Sequence, residues 1–317
     1  MAPRQIIIDC DPGQDDAVML LLALAAPDEL DIRAITAVAG NVPLALTQRN
    51  TRILCELAGR PDIPVYAGCE RPLVRPLVTA EHVHGKTGID GMEIYEPDIA
   101  LQAEHAVDYL VRTLSTAADA SMTLVPTGPL TNIAMAMIRA PEIIPKIKEI
   151  ILMGGASFEG GNITPSAEFN IYVDPQAADV VLRCGRPIVA MGLDVTHQVI
   201  TTPPRLARIA AIGGPVGKAL HGMLDFYDNF DVDKYGAEGG PLHDPCTIAY
   251  LLAPQLFETK LCNMSVEIGS ELTMGHTAVD FWHVTDLPKN VQWAHKVDAD
   301  GFYDLLVTRL TALAASV

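Results

Sequence analysis

Along most of the chain, short β-branched apolar runs alternate with longer stretches whose apolar positions recur every three to four residues. Residues 6–10 predict a strand, and "AVMLLLALAA" predicts a helix over 17–26 that closes before Pro27. "LDIRAITAVAG" then reads as a second strand and "VPLALTQRNTRILCELAG" as a second helix ending at Gly59. The pattern repeats. "IPVYAG" and "MTLVPTG" predict strands, "AEHAVDYLVRTLSTA" and "PLTNIAMAMIRAP" helices, and "IKEIILMGG" and "RPIVAMGLDV" further strands on either side of "DPQAADVVLRCG". Successive strand–helix units predict an α/β fold, an open and mostly parallel sheet flanked by helices. Polar and glycine-rich loops fall at the carboxyl ends of the strands, where open α/β sheets build their sites.

Two stretches depart from this rhythm. "GCERPLVRPLVTAEHVHGKTGIDGMEIYEP" has little periodicity and is expected to cover the site as a lid. After Thr201, a helical run near "LARIAAIGGPVGKALHGMLDFYDNF" is followed by alternation from "NMSVEIGSELTMGHTAVDFWHV". With no break in composition to mark a linker, residues 1–317 are expected to form a single domain with C-terminal helical and strand additions.

Composition narrows the function classes. Apolar residues at 49% against 19% charged supply too much core for a disordered chain. Lys plus Arg number 22 against 39 Asp plus Glu, a net charge of -17 with no basic run, so neither nucleic acid nor an anionic membrane is an expected partner. The six cysteines are widely spaced, with no pair at metal-ligand spacing, and read as buried thiols in a reducing compartment. "MAPRQIIIDCD" has no basic region before a long apolar segment, and charge or proline interrupts every other apolar run, so a soluble, cytoplasmic protein is expected.

The strongest chemical signal is "DCDPGQDDA", which sets Asp9, Asp11, Asp15 and Asp16 at one strand-to-helix turn. Pro12 and Gly13 favour a tight turn that aims Asp11 and Asp16 toward one point, with the helix expected to start near Asp15. Clustered carboxylates repel and desolvate badly unless a cation or a proton intervenes. The nearby donors are all oxygens, which suits Ca²⁺ or Mg²⁺ rather than zinc, and sugar hydroxyls in the shell suit the adaptable coordination of Ca²⁺. Capping is the competing reading, and Asp9 on the strand is expected to cap a turn or orient loop N–H groups.

Further polar islands stand at strand ends: Asn41 after "VAG", Thr127 before "GPLTN", Asn162, Glu168 and Asn170 in "EGGNITPSAEFNIYVDP", and His243 beside Asp244 in "GGPLHDPCTIA". Amides and carboxylates together divide the hydroxyls of a sugar among them. A phosphate would call for basic side chains or a glycine nest, and the islands are acidic.

Taken together, "DCDPGQDDA", "VPTGPLTNIA", "MGGA", "NITPSAEFNIYVDP" and "LHDP" resemble the inosine-uridine preferring nucleoside hydrolases, which cleave the N-glycosidic bond of ribonucleosides. The resemblance runs from about residue 5 into the C-terminal region. It implies a Rossmann-like fold and a Ca²⁺ held by Asp11, Asp16, Asp244 and the main-chain oxygen of Thr127, with water and the ribose hydroxyls completing the shell. It also implies Asp11 as general base toward the attacking water. Asp15, Asn41 and Asn170 would hold the 2'- and 3'-hydroxyls, Asn162 and Glu168 the 5'-hydroxyl, and Met153 would wall the sugar. Asn162 also reads as a loop turn residue, Asn41 as a helix cap and Met153 as core.

On the base side, the resemblance implies His243 as the residue assisting base departure, and it places His84 over the base or near the 5' side. His82, two residues earlier, would point away if that piece is extended. Tyr227 and Tyr235 read either as stacking or relay groups at the base or as helix packing. "LDFY" and "GGPLHDPCTIAYLL" look closest to pyrimidine-preferring bacterial members, so uridine and cytidine are expected to be favoured with inosine possible. The only tryptophans, Trp282 and Trp293, lie outside the recognised motifs, which weakens a purine-specific reading. A homotetramer or homodimer is the assembly the resemblance suggests.

Overall fold

In the first strand, β1 (Arg4–Cys10), Ile6 and Ile8 join the core on one face and Ile7 the core on the other, because side chains alternate along a strand. A continuous apolar run therefore marks a central strand covered on both sides. The structure, a computed structural model, describes residues 2–235 and 238–317, except for the side chains of 228–235.

The chain continues through α1 (Gln14–Leu24), β2 (Leu30–Ala37), α2 (Leu44–Leu57), β3 (Val65–Ala67), α3 (Glu81–His84), α4 (Ala106–Thr116), β4 (Met122–Pro126), α5 (Thr131–Arg139) and β5 (Ile147–Met153). It then forms α6 (Phe169–Val173), α7 (Pro175–Leu182), β6 (Ile188–Met191), α8 (Leu193–Thr196), α9 (Pro203–Ala210), α10 (Gly214–Tyr235) and α11 (Pro245–Leu252). The remainder is β7 (Phe257–Cys262), β8 (Met264–Val266), β9 (Thr277–Val279), β10 (Val291–Val297) and α12 (Ala299–Ala314).

Eight strands form one sheet in the order β3-β2-β1-β4-β5-β6-β10-β7. Every neighbouring pair is parallel except β10 and β7 at the edge. The expected α/β architecture is thus present. The winding reverses between β1 and β4, and such a switch point opens a crevice at the carboxyl ends of the strands.

Some expectations shift. α1 runs from Gln14, ahead of its apolar stretch and close to the expected start near Asp15, to Leu24, and it takes Asp15 and Asp16 into its first turn. All eleven of its residues are buried, as befits a helix apolar nearly all round. The strand predicted through "RPIVAMGLDV" stops at Met191, and Leu193–Thr196 is helical. Gly192, in extended conformation, opens that helix, and it must be small because a Cβ there would lie 2.0 Å from the indole of Trp293. The late helical run is two helices, parted where Gly213 and Gly214 take φ of 71° and 62°, a left-handed conformation that costs glycine little. The late alternation forms the two-stranded sheet of β8 and β9. β7, β10 and α12 were not anticipated.

The irregular segment 68–97 carries one short helix, α3, and crosses over α10. At the crossing a Cβ on Gly91 would lie 2.2 Å from the Gly222 carbonyl, and one on Gly222 2.1 Å from the Gly91 carbonyl. Only a glycine pair permits that approach. Among the described residues, no helix is long and apolar enough to cross a membrane.

Candidate active site

The aspartate turn lies at the switch point because β1 ends in it and Thr127 follows β4, the two joined by the Thr127 N–H donating to the Asp9 carbonyl at 2.8 Å. Asp11 is fully buried. Its Oδ2 accepts the Asn41 N–H at 2.7 Å, while Oδ1 has no partner among the described residues. Its carboxylate is wedged between backbones: a Cβ on Gly40 would lie 2.0 Å from it, and one on Gly128 2.5 Å. Burial and then the neighbouring Asp16 charge push the Asp11 carboxyl well above the ordinary range, opposed by the Asn41 N–H.

Asp16 accepts from the Thr127 hydroxyl at 2.8 Å, the Gly13 N–H at 3.1 Å and the Asn41 amide at 3.2 Å. Burial still pushes it up to about 7. Asp15 is raised to about 6 by burial although Asp244 hydrogen-bonds to it, and Asp244 is raised well above its usual value by burial and by the Asp15 charge. Asp15, Asp16 and Asp244 each bring a carboxylate oxygen within 4.8 Å of the others. A buried cluster with unpartnered oxygens on Asp11 and Asp15 is a donor set for a hard cation. The geometric trio includes Asp15 where the anticipated ligand set had Asp11. Among the described residues the Asp9 carboxylate caps no turn and orients no loop N–H group; it accepts from the Thr36 hydroxyl and, at 2.8 Å, from the Asn132 amide.

Above this floor opens a cavity of about 500 Å³, within the size range of small-molecule sites. Asp15, Asn41, His84, Thr127, Met153, Asn162, Glu168, Asn170, Tyr227, His243 and Asp244 all line it. Asp11 and Asp16 are not among the lining residues. The side chain of Tyr235 lies outside the described residues.

Asn170 reaches across by donating to the Thr127 carbonyl at 2.7 Å and to the Met153 sulfur at 3.4 Å. Glu168 caps α6, its carboxylate accepting the N–H groups of Asn170, Ile171 and Gly155 at 2.8, 3.1 and 3.0 Å. Burial nonetheless pushes it up to about 7. Asn162 is exposed and accepts the Phe169 N–H at 2.9 Å, so it shapes the loop as well as facing the cavity.

The opposite wall is made of rings. His243 is buried with its Nδ1 2.8 Å from the Thr196 hydroxyl, and burial, with His197 nearby, holds it well below the usual histidine range. His84 is also buried, its ring stacked on Tyr227 at 5.6 Å, and burial lowers it to about 3. His82 lines the cavity too, against expectation: residues two apart share a face in an extended strand, so alternation gave no ground for turning it away, and the segment is in any case helical. Among the described residues neither tryptophan lines the cavity; Trp293 is core and Trp282 is exposed.

Sequence reasoning missed His197, whose Nδ1 lies 3.2 Å from Glu159, both at the cavity. It also missed Thr196 behind His243 and Gln14 behind His84. The signal that could have found His197 and Thr196 was the "GLDVTH" turn after a strand end.

Comparison with known proteins identifies the family. Residues 6–304 match the family described as inosine-uridine preferring nucleoside hydrolase. An uncharacterized protein of Schizosaccharomyces pombe is 49% identical, covering 98% of this chain and 99% of its own. The pyrimidine-specific ribonucleoside hydrolase RihA of Photobacterium profundum is 48% identical over 97% of this chain and 98% of its own. Among solved structures, the purine-preferring ribonucleoside hydrolase from Gardnerella vaginalis superimposes with a TM-score of 0.92 at 34% identity, covering 99% of this chain and 100% of that one.

Proposed function

Because this chain belongs to the inosine-uridine preferring nucleoside hydrolases and is a nucleoside hydrolase enzyme, we propose that it is a Ca²⁺-dependent ribonucleoside hydrolase favouring uridine and cytidine. The whole chain acts as one hydrolase domain, cytoplasmic and assembled as a homotetramer or homodimer. The observation that carries the chemistry is the buried carboxylate floor facing a wall of buried neutral histidines across one cavity.

A Ca²⁺ held by Asp11, Asp16, Asp244 and the Thr127 main-chain oxygen would acidify the attacking water and fix the ribose hydroxyls. Asp11, with an unpartnered buried oxygen, takes the proton from that water as general base. Asp15, Asn41 and Asn170 hold the 2'- and 3'-hydroxyls, and Asn162 with Glu168 holds the 5'-hydroxyl. Met153 walls the sugar. As the base departs, positive charge spreads over C1' and the ring oxygen, and the carboxylates stabilise that state more than the neutral substrate. Attack from the face opposite the base gives α-ribose.

His243 meets the base as a neutral ring, since burial disfavours its cation. The contact of Nδ1 with the Thr196 hydroxyl fixes the orientation of the ring, and an Nε2–H on it would bond the departing base. The similarity to RihA supports the pyrimidine preference. The Gardnerella vaginalis structure supports a second reading, a purine-preferring enzyme, at lower identity. Separate kcat/KM values for uridine, cytidine, inosine and adenosine with Ca²⁺-loaded protein decide between them: a uridine-to-inosine ratio well below one reverses the preference, and no base release across the panel removes the hydrolase reading.

A further inference from the structure

We propose that Gln14 is a positioning residue that locks His84 in the Nδ1–H tautomer, leaving Nε2 as a hydrogen-bond acceptor for a donor hydrogen of the substrate. Gln14 is itself buried and sits at the start of α1, beside Asp15. Its Nε2 donates to the His84 carbonyl at 3.0 Å and to the Asp90 carbonyl at 3.2 Å. Backbone carbonyls only accept, so the orientation of the Gln14 amide is fixed by its partners. The Gln14 Oε1 is therefore the atom 2.8 Å from His84 Nδ1, and an amide oxygen can only accept. The proton lies on Nδ1.

A neutral imidazole with that proton carries a lone pair on Nε2. Burial, reinforced by His82, keeps the ring neutral at working pH. No described residue hydrogen-bonds His84 Nε2, yet the residue lines the cavity. The Nδ1 edge is the one packed against the turn, where a Cβ on Gly13 would lie 2.5 Å from Nδ1. The acceptor edge is left for the ligand. Resting on the nucleoside reading above, the donor hydrogen comes from the ribose 5'-hydroxyl or from an N–H of the base, and the test separates the two.

The tautomer is read first, by long-range ¹H–¹⁵N correlation on histidine-labelled, Ca²⁺-loaded protein, with His84→Phe identifying the His84 signals. The expected result is a protonated Nδ1 and an unprotonated Nε2 in the natural protein, with the Nε2–H form gaining population in Gln14→Met. An Nε2–H ring or a doubly protonated ring in the natural protein overturns the proposal, and neither depends on a variant that folds.

Kinetics then compare uridine with 5'-deoxyuridine and with 3-methyluridine. For the analogue that lacks the bonded hydrogen, about tenfold of its loss in kcat/KM should disappear in Gln14→Met and in His84→Phe, while any loss owed to Asn162 and Glu168 at the 5'-hydroxyl persists in all three proteins. A variant-sensitive loss with 5'-deoxyuridine identifies the sugar hydroxyl, and a variant-sensitive loss with 3-methyluridine the base. Steric cost from the methyl group persists in all three proteins and cancels. Equal sensitivity in natural and Gln14→Met proteins overturns the positioning role. No base release from any nucleoside would fell the hydrolase reading instead, and the tautomer would still be decided by the spectrum.

Discussion

The floor and the roof of the cavity respond to burial in opposite chemical directions. On the floor, Asp11, Asp16 and Asp244 are carboxylates whose acidity burial weakens; on the roof, His84 and His243 are rings whose basicity burial weakens. Both regions are driven toward neutrality. A divalent cation would reverse this for the carboxylates alone, leaving one ionic wall and one neutral wall around a substrate that develops positive charge. On the proposed reading, the difference means that a cation would polarise the site while its histidines would serve as neutral hydrogen-bonding groups.

The sharpest way to break the comparison is to discharge the floor. Asp11→Asn should lower kcat by about a thousandfold with the Tm of the protein nearly kept, because general-base catalysis is worth roughly 10²–10⁴. Comparable kcat in the variant would remove Asp11 from the chemistry. Removing a substrate group from the floor should cost nearly as much: 2'-deoxyuridine should show about a thousandfold lower kcat/KM than uridine, since polar groups of the site are left unpaired. Similar values for the two nucleosides would detach the floor from the ribose.

On the roof the effect should be smaller. His243→Ala should lower kcat for uridine by about a hundredfold. For a riboside whose leaving group departs without a proton it should change kcat little. Equal losses on both substrates would reassign His243 to packing.

The smallest effect is on stability. Glu168, Asp16 and Asp15 have folded-state values raised to about 7, 7 and 6, above their unfolded values. Such groups favour the folded state below the unfolded pKa, and the contribution is lost as pH rises through the folded value. Chelator-treated protein should therefore lose about 5 °C in Tm between pH 5 and pH 8, an amount set by a kcal/mol or two in a chain of this size. Added Ca²⁺ should flatten that slope. A Tm that rises with pH in the chelated protein would contradict the burial argument.

How much was legible follows the same division. β1, β2, β4 and β5 announced themselves as apolar runs closed by glycine or polar loops, and the floor residues sit in contiguous motifs beside them. The roof is assembled from distant pieces: Gln14 meets His84 across 70 residues, and Thr196 meets His243 across 47. Local spacing carries no trace of such pairs. The His82 expectation failed because residues two apart share a face in an extended strand, and the segment is a four-residue helix besides. β10 was passed over because Gln292, His295 and Lys296 break up its apolar positions, leaving a weaker run than those of β1 or β5.

α1 ties these observations to folding. The helix that carries Asp15 and Asp16 is buried along its whole length, so the chain cannot close its interior without enclosing those acids as well. Without a cation the folding chain must take up protons to complete its core; the cation of the proposed reading would spare it that, so that closing the core and loading the site would be one event.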